Sequence, residues 1–179
     1  SLRPGQQVRN YIGCSHLVRR RVVIAVGGYR EFLVHQTEER DLCLRLLSCG
    51  RTVIYGVGGP VVHLVSPRRD SKRLTYYGYR NTLLVTGLNA PIWIAIPRMT
   101  LDTLRLLRHR FEWRRIGVGV QGILAGWIGT LTHWTDRTPV STDCFRNFLR
   151  LPLAGPVECD FTTLPALNGD VMTRTTDSC

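Results

Sequence analysis

The stretch TEERDLCLRLLSCG, Thr37 to Gly50, sets three acids in four positions and then turns apolar. Its pattern predicts a helix. Thr37 can serve as N-cap, and Glu38, Glu39 and Asp41 then fall in the first turn, where negative charge offsets the helix dipole. Leu42, Leu46 and Cys49 recur at i, i+4 and i+7 as a stripe expected to be buried, and Gly50 ends the run. Two readings of the acids are open from this stretch alone: a charged helix start, or a group of carboxylates that carries chemistry.

The surrounding composition narrows the partners. In 179 residues, 44% are hydrophobic, which is ordinary for a chain that buries a core and excludes wholesale disorder. The net charge of +11, mostly arginine, favours an anionic partner: nucleic acid, an acidic membrane surface or a phosphorylated ligand. Six cysteines are scattered with no C-x-x-C pair, and no N-x-S/T sequon occurs, so a zinc site is not expected and free thiols in a reducing cytoplasm account for them. The opening serine reads as a cut end.

Outward from Thr37, YIGCSHLVRR (Tyr11–Arg20) reads as a short strand and a basic turn, and RRVVIAVGGY as a short helix stopped at Gly27 and Gly28. RTVIYGVGGPVVHLVSP offers two β-branched runs, Thr52–Tyr55 and Val61–Val65. This alternation predicts an α/β arrangement for the first eighty or so residues. Asn81–Pro97 is then uncharged for seventeen residues. In Arg98–Arg115, Leu101, Leu104, Leu107 and Phe111 share a face, and six arginines outnumber two acids. Ile116–Trp134 is uncharged again but carries five glycines with Gln121, Thr130 and Thr132, which argues against a full membrane span. A basic amphipathic helix between two apolar stretches predicts an element lying on an anionic leaflet, with a helical hairpin packed on the protein itself as the alternative. Gly117, Gly119 and Gly122 match G-x-G-x-x-G, yet no β-run precedes them, so they read as small residues of a closely packed or membrane-facing helix.

The order of motifs carries more than any one of them. G-C-S-H-L-V-R-R, G-G-Y-R-E, E-E-R-D-L-C-L-R-L, V-V-H-L-V-S-P-R-R and Y-Y-G-Y-R-N follow one another from Tyr11 to about Thr82. This series resembles the C-terminal half of a bacterial family 2 glycosyltransferase of the GT-A fold, and a looser likeness continues to about Leu151. The resemblance implies three parts: residues 1–82 as the acceptor-side half of a Rossmann-like GT-A domain, 83–150 as an amphipathic, membrane-associated helical region, and 151–179 as an irregular tail. It also implies a nucleotide-sugar donor, a glycan or lipid-linked acceptor, a place at the cytoplasmic face of the bacterial inner membrane, and transfer of a hexosyl or deoxyhexosyl group with inversion. A divalent metal, Mg or Mn, would be held mostly by a D-x-D motif. No D-x-D occurs in these residues, so the chain is expected to be a fragment whose donor-binding half lies upstream, inactive alone.

The resemblance assigns roles residue by residue. Glu39 would be the base that takes the acceptor hydroxyl's proton, with Glu38 supporting it or binding an acceptor hydroxyl. Asp41 would pair with Arg45 and hold the helix start. Gly13 and Cys14 would lie where the acceptor-side strand approaches the site, the glycine allowing close backbone approach. His63 would complete the metal shell, or be a hydrogen-bonded histidine at a strand end. Arg68 and Arg69, with Lys72 and Arg73, would clamp the donor diphosphate or form a solvated or lipid-facing loop; Arg80 would join the clamp or make a structural ion pair. The rival class is a non-enzymatic basic adaptor for anionic membrane or nucleic acid. Nucleic acid is not the expected partner, because the aromatics are not interleaved with basic residues as a stacking platform requires.

Overall fold

The computed structural model describes residues 2–56, 70–109 and 116–154, and 64% of them are helical. This corrects the expected Rossmann-like layering. Among the described residues the sheet is two antiparallel strands, β1 (Gln7–Val8) and β2 (Val53–Ile54), with Val8 opposite Val53. Tyr11–Arg20 forms not a strand but a tight turn closed by an Ile12–Ser15 bridge. The β-branched run at 52–55 shrinks to two residues because its only neighbour is two residues long, and Ile54 stays exposed. The second run, 61–65, lies outside the described residues.

Six helices make the body: α1 (Arg20–Ala25), α2 (Glu38–Ser48), α3 (Ser71–Asn89), α4 (Ile92–His109), α5 (Ile116–Thr132) and α6 (Thr142–Arg150). α2 is buried on nearly every side, from Asp41 through Leu46. Its expected stripe is partly corrected: Leu42 and Leu46 are inside, but Cys49 is exposed just past the last turn. Leu42, Leu44 and Leu46 pack with Tyr11, Ala90, Ala95, Phe145 and Phe148. The boundary expected at 82–83 falls within α3, and that cluster draws on residues from both sides of it. α3 ends where Pro91 forces Ala90 into extended backbone (ψ 148°), and α4 starts directly after the proline.

The glycines of α5 explain its place. Gly119, Gly122, Gly126 and Gly129 recur at i, i+3, i+7 and i+10 and face α3. A Cβ on Gly122 would sit 2.7 Å from the Tyr76 carbonyl oxygen, and one on Gly126 2.8 Å from that of Arg80. Of the G-x-G-x-x-G run, Gly119 and Gly122 therefore belong to a helix-packing surface, while Gly117 meets open space. Its opposite face, Val120, Leu124, Ile128 and Leu131, is exposed.

α4 turns its apolar row outward, as an interfacial helix would and a hairpin packed through that row would not. Asp102 is buried, whereas Leu104 is 58% exposed, with Trp93, Ile96, Leu101 and Leu107 also outside. The Trp127 indole N–H donates to Thr103 Oγ1 at 3.2 Å and joins α5 to α4. Leu124 and Leu131 lie a turn from Trp127, and Leu107 a turn from Thr103, so exposed apolar rows flank this seam. Among the described residues no helix is long and apolar enough to cross a membrane.

Candidate functional site

The site forms where the turn after α1 meets the start of α2. Gly27 (φ 82°) and Gly28 (φ 65°) take left-handed backbone that ends α1, and Gly28 N–H donates to Val23 O at 2.9 Å. The Arg45 guanidinium crosses from α2 to donate to the exposed carbonyls of Val26 and Gly28. The chain then passes through a short 3₁₀ turn, Glu31–Leu33, into Val34, Gln36 and Thr37, all at positive φ (58°, 68° and 74°). Such non-glycine conformations cost about 1–3 kcal/mol each and persist only where surroundings hold them.

Asn81 does the holding. Its buried Nδ2 donates to the carbonyls of Leu33 (2.6 Å), His35 (2.8 Å) and Gln36 (2.8 Å). Arg80, the other half of the R-N pair, donates through Nη1 to Phe32 O at 2.9 Å and to Asn81 Oδ1 at 2.7 Å. Among the described residues its polar contacts are these hydrogen bonds and no ion pair. Thr37 stands at the N-cap position of α2, but its left-handed backbone leaves its side chain with no capping bond, which corrects the expected cap. The turn is fastened from α3 instead.

Asp41 is fully buried and anchors α2. Oδ1 accepts from Arg30 Nη1 (2.8 Å) and Asn89 Nδ2 (2.7 Å), while Oδ2 accepts from Arg45 Nε (2.9 Å) and Nη2 (2.8 Å). Arg30 continues to Thr138 Oγ1 at 2.6 Å and to Asp136 O at 3.1 Å. Asp41 thereby ties α2 to the segment after α1, to α3 and, through Arg30, to the loop before α6.

Glu38 and Glu39 face the other way. With Gly13, His16, Tyr29, Arg30, Glu31 and Val34 they line an open pocket of about 360 Å³. Gly13 comes so close that a Cβ there would lie 2.5 Å from Glu39 Oε1. The Tyr11 ring stacks on His16 with centroids 4.3 Å apart, and its hydroxyl hydrogen-bonds that of Tyr29 at the pocket wall. Burial, then that hydrogen bond, raises the Tyr11 phenol. Glu38 Oε2 is shut off from solvent without a hydrogen-bond partner. Burial first, and then the neighbouring Glu39 charge, raise the Glu38 carboxyl above the usual range. Two adjacent carboxylates in unequal surroundings can divide acid and base duties.

The structure thus brings Gly13, Glu38 and Glu39 together and sets Asp41 behind them. Cys14 is exposed and outside the pocket's lining. His63, Arg68 and Arg69 lie outside the described residues. Among the described residues no three His, Cys, Asp or Glu side chains gather where they could hold a metal. Sequence reasoning missed Arg30, Tyr29, His16 and the grip of Asn81. The G-G-Y-R motif held the signal for Tyr29 and Arg30, and Y-R-N that for Asn81. No protein-family model, curated protein or solved structure matches this chain.

Proposed function

We propose that this chain is the acceptor-side portion of a nucleotide-sugar-dependent, inverting glycosyltransferase of the GT-A type, working at the cytoplasmic face of the bacterial inner membrane on a glycan or lipid-linked acceptor. The observation that carries the reading is the pocket in which Glu39 presses on the Gly13 backbone beside the half-buried Glu38. Glu39 removes the proton of the acceptor hydroxyl. The freed oxygen attacks the anomeric carbon, a C–O bond forms, and the bond to the diphosphate breaks as that group takes the electron pair. Glu38, half-buried beside it in the same pocket, supports the base or binds a second acceptor hydroxyl. Asn81 and Arg80 hold the turn that sets both carboxylates. By the resemblance, Arg68, Arg69 and Arg80 supply cations for the leaving diphosphate. A divalent metal neutralises diphosphate in such enzymes; the described residues lack a ligand set for one, so none is assigned here.

The exposed apolar rows of α4 and α5, with Arg105 and Arg108 beside them, support attachment to an anionic membrane. They suit the non-enzymatic adaptor equally well, so the acids must separate the two readings. Glu39→Gln in the full-length protein keeps the shape of the pocket and removes the base. Release of nucleoside diphosphate from uridine, guanosine and thymidine diphosphate sugars, with membrane lipid extract as acceptor, is expected to fall about 10²–10⁴-fold. Donor affinity and melting temperature should barely change. Near-normal turnover in the variant, or no turnover with any donor in the wild type, overturns the proposal.

A further inference from the structure

Arg40 stands next to Glu39 in the first turn of α2 but takes no part in the pocket's lining. Among the described residues its guanidinium has no hydrogen-bond acceptor, and its Nε is closed to solvent. Arg9, just past β1, is in the same condition: its Nε is shut in without a partner, and Nη1 reaches only the Leu149 carbonyl, at 3.5 Å. Arg98 comes from α4 and pairs with the buried Asp102 at 3.1 Å, which also accepts from Arg105 at 3.4 Å. Burial above all, then the repulsion of Arg9, pushes Arg40 down to about 10, with Asp102 opposing and Arg98 adding to the repulsion. Burial, and then the charge of Arg98, lowers Arg9 as well. Asp102 is taken up by Arg98 and Arg105, and among the described residues no carboxylate pairs with Arg9 or Arg40.

Folded chains pair their buried charges and satisfy their buried donors, and among the described residues Arg9 Nε and Arg40 Nε are left without a partner. We propose that Arg9, Arg40 and Arg98 form a binding site for a phosphate or diphosphate group. Three planar forks arriving from β1, α2 and α4 offer more donors than one carboxylate can accept, whereas a tetrahedral phosphate presents three or four oxygens in different directions. A phosphate dianion also offsets the excess positive charge. The source is a soluble phosphate ester or a lipid headgroup, since the helix that carries Arg98 also exposes Trp93, Ile96 and Leu104. This inference does not rest on the glycosyltransferase reading.

The test is thermal unfolding of the 179-residue chain at constant ionic strength in chloride, phosphate and pyrophosphate. Flotation with phosphatidylcholine vesicles, with and without phosphatidic acid, runs alongside. A saturable rise in melting temperature with pyrophosphate assigns a soluble ester. A response only to phosphatidic acid assigns a lipid headgroup. Arg40→Met is expected to melt higher than wild type in chloride, because an unpaired buried charge is gone, and to lose at least tenfold in affinity for the responding probe. Arg9→Met should lose affinity likewise, and the exposed Arg146→Met should not. If neither probe acts on the wild type, or Arg40→Met responds as wild type does, the proposal fails. It fails too if Arg40→Met melts lower in chloride while Glu158→Gln/Asp160→Asn reproduces that loss, because the chain would then supply its own anion.

Discussion

Replacing Asp41 by Asn changes one oxygen to NH₂ and removes one charge, with shape almost conserved. In the wild type that carboxylate has no solvent exposure and accepts four N–H bonds at 2.7–2.9 Å from Arg30, Arg45 and Asn89. The amide keeps one acceptor oxygen and turns two donors toward a guanidinium, so both bonds from Arg45 cannot survive. Each hydrogen bond to a charged group contributes about 1.5–3 kcal/mol. Breaking a buried ion pair from one side costs about 3–5 kcal/mol, because it leaves the other charge uncompensated. Against a total stability of about 5–15 kcal/mol for a folded domain, this is about a fifth or more. At about 2–4 °C per kcal/mol for a chain of this size, the melting temperature should fall by about 6–20 °C. Urea titration followed by circular dichroism reads the loss, with an unchanged m-value showing that the folded state is the same. Arg45→Met and the double variant complete a cycle in which the double costs less than the two singles together. A loss under about 1 kcal/mol, or strictly additive singles, would refute the role given to Asp41.

Glu38 makes stability depend on pH. Its folded-state pKa is raised, so the protonated form is favoured by folding, and stability is greatest below the unfolded value and falls as pH rises through the folded one. Glu38→Gln should therefore be more stable than wild type at pH 7 and lack this decline in urea titrations across pH; a less stable variant refutes it. Gly126→Ala sets a Cβ 2.8 Å from Arg80 O and 2.9 Å from Leu83 Cβ, and should cost about 1–3 kcal/mol by overpacking despite the better helix former. Gly117→Ala, with open space around it, should gain up to about 1 kcal/mol, and equal effects at the two positions in thermal unfolding would deny the close α3–α5 approach. At the exposed apolar rows, Arg105→Gln and Arg108→Gln should each weaken sedimentation with anionic vesicles by about 1 kcal/mol, in a salt-dependent way. Leu124→Ser, exposed in the fold, should weaken it without lowering the melting temperature. Wild-type binding that is equally strong to neutral vesicles at high salt would remove the electrostatic part.

Local signals were legible without the fold. Acids before an apolar run and Gly50 after it placed α2, and Gly27 and Gly28 stopped α1, because each acts on backbone within a few residues. The i, i+4 spacing also put Asp41 and Arg45 on one helix face, where they do pair. Other features depended on residues far along the chain. Asp41 meets Arg30 and Asn89 only because α3 returns beside α2, and the positive-φ turn before the acids stands only because Asn81 grips three carbonyls some 45 to 48 residues earlier in the chain. The β-branched run after Gly50 promised more strand than formed, since a ladder needs a partner of equal length and β1 supplies two residues. Periodicity likewise named the apolar face of α4 without saying what it faces. Asp102 turned inward to Arg98 and the leucines turned outward, an orientation fixed by how α4 packs against its neighbours, beyond what a helical repeat encodes.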